Sequence, residues 1–123
     1  MIPRYTRPEM GRIWSEQNRY RRWLDVELAV AEVQAAAGLI PAAAAAAIRK
    51  KARVDAGRIA AIEREVKHDV LAFTTAVAES LGPESRFLHY GLTSNDVVDT
   101  AQALLVAEAS TLIRKGLDRK SVV

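Results

Sequence analysis

Apolar residues recur at intervals of three and four along nearly the whole chain, and that spacing limits the possible folds more than any other feature. Between residues 16 and 37, Tyr20, Trp23, Leu24, Glu27, Leu28 and Ala31 keep this spacing, and Val26, Val30, Val33 and Ala37 form a second stripe. A helix that is apolar on two sides must be packed from two sides, by its own domain or by a partner. Ser15 reads as its N-cap, Gly38 ends it, and Pro41 prevents continuation. Pro8 fits the first turn of a short helix reaching about Trp14. Residues 41–52 predict a short alanine helix. Asp55 reads as the cap of the next, with Ile59, Ile62 and Val66 on its buried face. The spacing resumes as Val70, Phe73, Val77 and Leu81, with Asp69 as a plausible N-cap and a kink or break expected at Lys67-His68-Asp69. Gly82-Pro83 stops that helix, and 84–91 reads as a loop. A last helix starts near Thr93 and carries Val97, Val98, Ala101, Leu104, Leu105, Ala109 and Leu112. No strand pattern or internal repeat stands out. The expectation is an all-α fold of five to six helices, in a chain of 123 residues that suffices for one core.

Half of the residues are hydrophobic but only 6% are aromatic, and alanine fills much of the gap, so the helices should approach closely around few large anchors. The absence of cysteine excludes disulfides and thiolate metal sites and suits a reducing cytosol. The first ten residues, MIPRYTRPEM, lack the apolar core of a signal peptide, and no run of about 18 apolar residues could span a membrane. A cytoplasmic location without membrane contact is therefore expected. The net charge is only +3, but Arg4, Arg7, Arg12, Arg19, Arg21 and Arg22 crowd the first 22 residues against Glu9 and Glu16. They read either as a solvated helix face or as an anion site that uses one or two of them. A nucleic-acid surface is disfavoured, because no stacking aromatics interleave the cluster and no recognised motif occurs.

Three constellations could carry chemistry. In GLTSND, Thr93 and Asp96 fit a capping box, which explains the residues by itself. The same helix start offers free N–H groups to an anion, with hydroxyls from Thr93 and Ser94 and a close backbone approach at Gly91. The chain has two histidines, His68 and His89. A helix over 70–81 would be about 18 Å long, and the loop 82–91 can reach about 33 Å, so the two could share a neighbourhood with the 93–96 turn. An imidazole gives or takes a proton near neutrality. Lys67 and Asp69 could orient His68 or meet a charged ligand, or could be a solvated side chain and a cap. Arg4-Tyr5 could bind a phosphate or form a disordered tail. Two histidines without a ligand cluster make no metal site.

Taken together, RYTRPEMGRIWSEQNRYRRWLDVELAVAE, KHDVLAF and HYGLTSNDVVDTA resemble, in order and spacing, the N-terminal region of the adenylosuccinate lyase family within the fumarase/aspartase superfamily. The resemblance runs from residue 1 to about 117. It implies a helical N-terminal domain, followed in full-length members by a central helical bundle and a C-terminal domain, in a homotetramer. It implies elimination of fumarate from adenylosuccinate, giving AMP, and from the succinylated aminoimidazole carboxamide ribotide, with no metal or organic cofactor. Carried over by resemblance, Arg4 and Tyr5 match a nucleotide-binding pair, and Lys67, His68 and Asp69 a substrate-binding tripeptide. His68 matches a histidine that protonates or orients the leaving-group side. His89 matches one associated with the substrate, through its phosphate, and Thr93 and Ser94 match residues that hold substrate oxyanions. The family's base is a serine in a Gly-Ser-Ser-x-Met-Pro-x-Lys-x-Asn-Pro loop, and a further histidine serves the acid side; neither segment occurs here. Because the family's sites combine three subunits, the chain alone is expected to be inactive.

The expected division is a helical lyase domain over 1–111, the start of a central-bundle helix over 112–117, and a non-native tail over 118–123. The tail DRKSVV looks like a translated sequencing adaptor, which would have the natural chain continue past Leu117; a frayed natural terminus is the alternative. Alternatives for function are a sister lyase or cycloisomerase, of argininosuccinate or carboxymuconate type, and a non-catalytic helical assembly module.

Overall fold

A computed structural model describes residues 2–120. Six α-helices follow one another among these residues: α1 (Pro8–Ile13), α2 (Glu16–Ala36), α3 (Ala42–Lys51), α4 (Ala56–Val66), α5 (Asp69–Ala78) and α6 (Ser94–Lys120). Short 3-10 turns occupy Pro3–Tyr5 and Pro83–Phe87, the second starting at the expected helix stop and running into the stretch 84–91 read as loop. No strand occurs among the described residues, in agreement with the all-α expectation.

The helix α2 is central. It packs along α6 on one side and along α3 on another, while α4 and α5 form an antiparallel pair and α1 leans on α6. Its start is set as the sequence suggests: Ser15 Oγ accepts from the Asn18 N–H at 3.2 Å. Its end is set by Gly38, at φ 73°. The core forms where the few aromatics converge. Tyr20 stacks on Phe73 at 6.2 Å between centroids, and Trp23 meets both edge-on at 5.2 and 5.4 Å. Ile48, Ile59, Val77, Val97 and Ala101 close around this triad from α3, α4, α5 and α6. The Arg19 guanidinium lies over the Tyr20 and Trp23 rings and donates to the Tyr20 hydroxyl at 2.8 Å. Burial pushes the Tyr20 phenol above its ordinary pKa, with Arg19 opposing.

Several positions depart from the helical-wheel expectation. The second stripe of α2 is covered at Val26, while Val33 and Ala37 are exposed, because α3 and α6 flank α2 without enclosing its C-terminal outer face. Val66 is exposed at the last turn of α4, and Leu104 is exposed on α6. The cap of α5 is His68 rather than Asp69: His68 Nδ1 accepts from the Leu71 N–H at 3.2 Å, and Asp69 is the first helical residue. Asp69 Oδ1 instead accepts from the Val70 N–H. The break between α4 and α5 is present, with Lys67 in the left-handed conformation at φ 54°.

One helix, α6, crosses the expected boundaries at 111/112 and 117/118 without interruption. Asp118, Arg119 and Lys120 of the suspected tail continue it, and the rest of that tail, residues 121–123, lies outside the described residues. No described helix is long and apolar enough to cross a membrane.

Candidate functional site

Two chain reversals carry the candidate residues other than Arg4 and Tyr5, and both are strained. Among the described residues, Lys67 and His89 are the non-glycine positions with positive φ, at 54° and 59°. A left-handed backbone costs a residue with a Cβ about 1–2 kcal/mol. In both cases the strain falls inside a motif singled out for its chemistry.

The first reversal is Lys67-His68-Asp69, and all three side chains are exposed. Because His68 Nδ1 accepts a backbone N–H, the proton of the neutral ring sits on Nε2, the outward atom. Asp69 Oδ1 lies 3.7 Å from Nδ1, close enough to engage the ring once it is charged. The Lys67 ammonium forms no ion pair among the described residues.

The second reversal runs from His89 to the start of α6. His89 donates its backbone N–H to Glu27 Oε2 at 2.9 Å, and its Nδ1 lies 2.6 Å from Glu27 Oε1. Gln34 donates to the Tyr90 carbonyl at 2.7 Å, so two residues of α2 pin this turn. Gly91 completes it at φ 71°. The capping box at α6 is half formed: Asp96 Oδ2 accepts from the Thr93 N–H at 2.7 Å, while the Thr93 and Ser94 hydroxyls make no hydrogen bond among the described residues. Those hydroxyls are left available to a ligand at a helix start whose dipole favours an anion.

Glu27 is the residue of this reversal that the sequence reading did not single out. It falls within an apolar stripe of α2, yet it is a carboxyl side chain with 2% of its surface exposed. Burial pushes its carboxyl above the ordinary range, and the His89 contacts oppose that shift. A charged residue three and four positions from Trp23, Leu24 and Ala31 was the available signal.

The Arg4–Tyr5 pair sits on the exposed 3-10 turn, with the guanidinium 5.5 Å from the ring centroid. No hydrogen bond or ion pair among the described residues joins this turn, the His68 reversal and the His89 reversal to one another. The groove between α2 and α6, of about 610 Å³, is lined by Asp25, Val26, Ala29, Val30, Leu92, Asp96, Thr100 and Leu104. Its two carboxylates and lack of a lining cation make it a poor seat for phosphate. No group of three or more metal-ligating side chains exists among the described residues.

A lyase family model matches residues 4–119. The chain belongs to the lyase family. Over 118 residues, or 96% of its length, this lyase-family chain is 54% identical to an adenylosuccinate lyase of Streptococcus mutans. It is 49% identical over 119 residues to the adenylosuccinate lyase of Bacillus subtilis, and 50% identical over the same span to that of Staphylococcus saprophyticus. The chain spans only 27–28% of the length of these curated relatives. In three dimensions it is similar to the crystal structure of a fumarate lyase from Mesorhizobium sp. BNC1. The TM-score is 0.79 at 28% identity, over 86% of this chain and 26% of the other. The helical scaffold read from sequence is thus that of the lyases.

Proposed function

We propose that this chain is the N-terminal quarter of an adenylosuccinate lyase, which eliminates fumarate from adenylosuccinate to give AMP and from the succinylated aminoimidazole carboxamide ribotide. The observation that carries this reading is identity of about half the residues, across almost the whole chain, with three proteins of that name. The three motifs fall within the matched span.

Such an elimination needs a base for the carbon-bound proton, fixed donors for the charge that builds on the adjacent carboxylate, and an acid for the departing nitrogen. In this reading the chain supplies binding groups and one proton carrier. Arg4 and Tyr5 hold the nucleotide, and Lys67 and Asp69 meet the substrate. His68 faces the leaving-group side, which suits a ring whose outward Nε2 carries the proton. His89 meets the phosphate. Thr93 and Ser94, with unspent hydroxyls at the α6 start, hold oxyanions. The base, the remaining acid group and the assembly into a homotetramer lie beyond this segment, so the 123-residue chain alone is catalytically inert. The reaction is cytoplasmic and uses no metal or organic cofactor.

The test is fumarate release by a full-length lyase that carries this segment, offered adenylosuccinate, argininosuccinate and carboxymuconate in parallel. Turnover of adenylosuccinate alone is expected, with a loss of at least about 100-fold in His68→Ala. Turnover of another substrate instead, or an unimpaired His68→Ala enzyme, overturns the reading.

A further inference from the structure

Glu27 raises a question that packing does not answer. Its neighbours on α2 at the helical spacing are Trp23, Leu24 and Ala31, all buried, and an apolar side chain would fill such a position at less desolvation cost. Both carboxylate oxygens are spent on one residue. Oε2 takes the backbone N–H of His89 and Oε1 takes its ring Nδ1, with no other hydrogen bond to Glu27 among the described residues. The partner residue is itself held in a left-handed conformation, at φ 59°. On the far side of the ring, Nε2 has no partner among the described residues and is not a buried unsatisfied atom, so it is open to solvent.

We propose that Glu27 is a positioning residue for His89: it keeps the ring proton on Nδ1 and turns Nε2 outward as the atom that meets a substrate oxyanion. A carboxylate can only accept, so Nδ1 against it must carry hydrogen. In the neutral ring Nε2 then holds a lone pair. Once protonated, Nε2–H donates to an oxyanion while Glu27 balances the imidazolium charge. His68 has the opposite arrangement, with Nδ1 accepting from the Leu71 N–H and the neutral ring's proton on Nε2. The two histidines of the chain therefore carry opposite tautomers. The substrate half of the proposal rests on the reading of His89 as a phosphate contact; the tautomer half does not.

Imidazole proton–nitrogen correlation spectra of the ¹⁵N-labelled 123-residue chain, recorded at alkaline pH, separate these halves. His89 is expected protonated at Nδ1 and His68 at Nε2, with His89→Gln assigning the signals. In Glu27→Gln the amide N–H faces Nδ1, so the His89 proton moves to Nε2 while the His68 signals stay. A wild-type spectrum with His89 protonated at Nε2 overturns the proposal, even if the variant does not fold. In a full-length lyase, Glu27→Gln is expected to raise KM for adenylosuccinate about ten- to a hundredfold. Unchanged kinetics with a displaced proton also overturns it. If His89→Gln leaves KM unchanged, the phosphate reading of His89 fails while the tautomer assignment stands.

Discussion

Lys67 is held at φ 54° and is the C-cap of α4, a position that glycine fills without strain. Lys67→Gly is expected to stabilise the fold by up to about 1 kcal/mol, read from urea midpoints. If its ammonium meets the substrate, the same change weakens turnover in the full-length enzyme, an exchange of stability for function seen where strain sits in a site. Glu84 offers a pH test. Its hydrogen bond from Lys51 Nζ, 2.7 Å long, and nearby backbone N–H groups hold its carboxyl down to about 2 from an ordinary 4.5. A depressed acid binds protons more weakly when folded, so its stabilisation is complete above pH 4.5 and is lost as pH falls toward 2. The stability difference between the wild type and Glu84→Gln should shrink across that window in urea titrations. At this scale the sequence was only partly readable. The chemistry-bearing types stood out, but the cap of α5 passed from Asp69 to His68, since a break with left-handed Lys67 turns the imidazole over the first helical turn. The apolar neighbours of Glu27 signalled its burial, but its partner was unreadable because His89 lies 62 positions away.

The helices themselves were readable from periodicity and punctuation. Ser15 and Asp55 cap where expected, and Gly38 stops α2, because these signals act within one turn of chain. What periodicity could not tell was which of two apolar stripes is covered, since that depends on how α3 and α6 are placed around α2. The docking of α6 is fixed partly by an ion pair: Arg22, held by Asp25 of its own helix at 2.6 Å, also pairs with Glu108 of α6. Both Arg22 and Glu108 are about 30% exposed, so solvent screens the pair. A double-mutant cycle of Arg22→Ala and Glu108→Ala should return a coupling of about 0.5–1 kcal/mol that fades in high salt. By contrast, Phe73→Ala removes the ring that joins α5 to Tyr20 and Trp23. It should cost about 3–5 kcal/mol in chemical denaturation.

For the molecule as a whole, α6 carries Leu104, Val106 and Ile113 on surface open to solvent, and α2 adds Val33. Surface of this kind favours association. Sedimentation velocity of the chain should show concentration-dependent self-association, and Ile113→Lys should shift it toward the monomer. A concentration-independent monomer contradicts this expectation. The all-α architecture was legible at this scale because every segment repeats at three and four, but the relative placement of distant reversals was not, since chain reach sets only an upper bound on separation.

The chain has two tryptophans, and the fold puts them in opposite settings: Trp23 is sealed into the aromatic triad, and Trp14 is partly open at the end of α1. The molecule therefore carries its own pair of fluorescent gauges. Acrylamide should quench the Trp14 emission readily and leave Trp23 dark to it, so loosening of the N-terminal arm can be watched apart from melting of the interior.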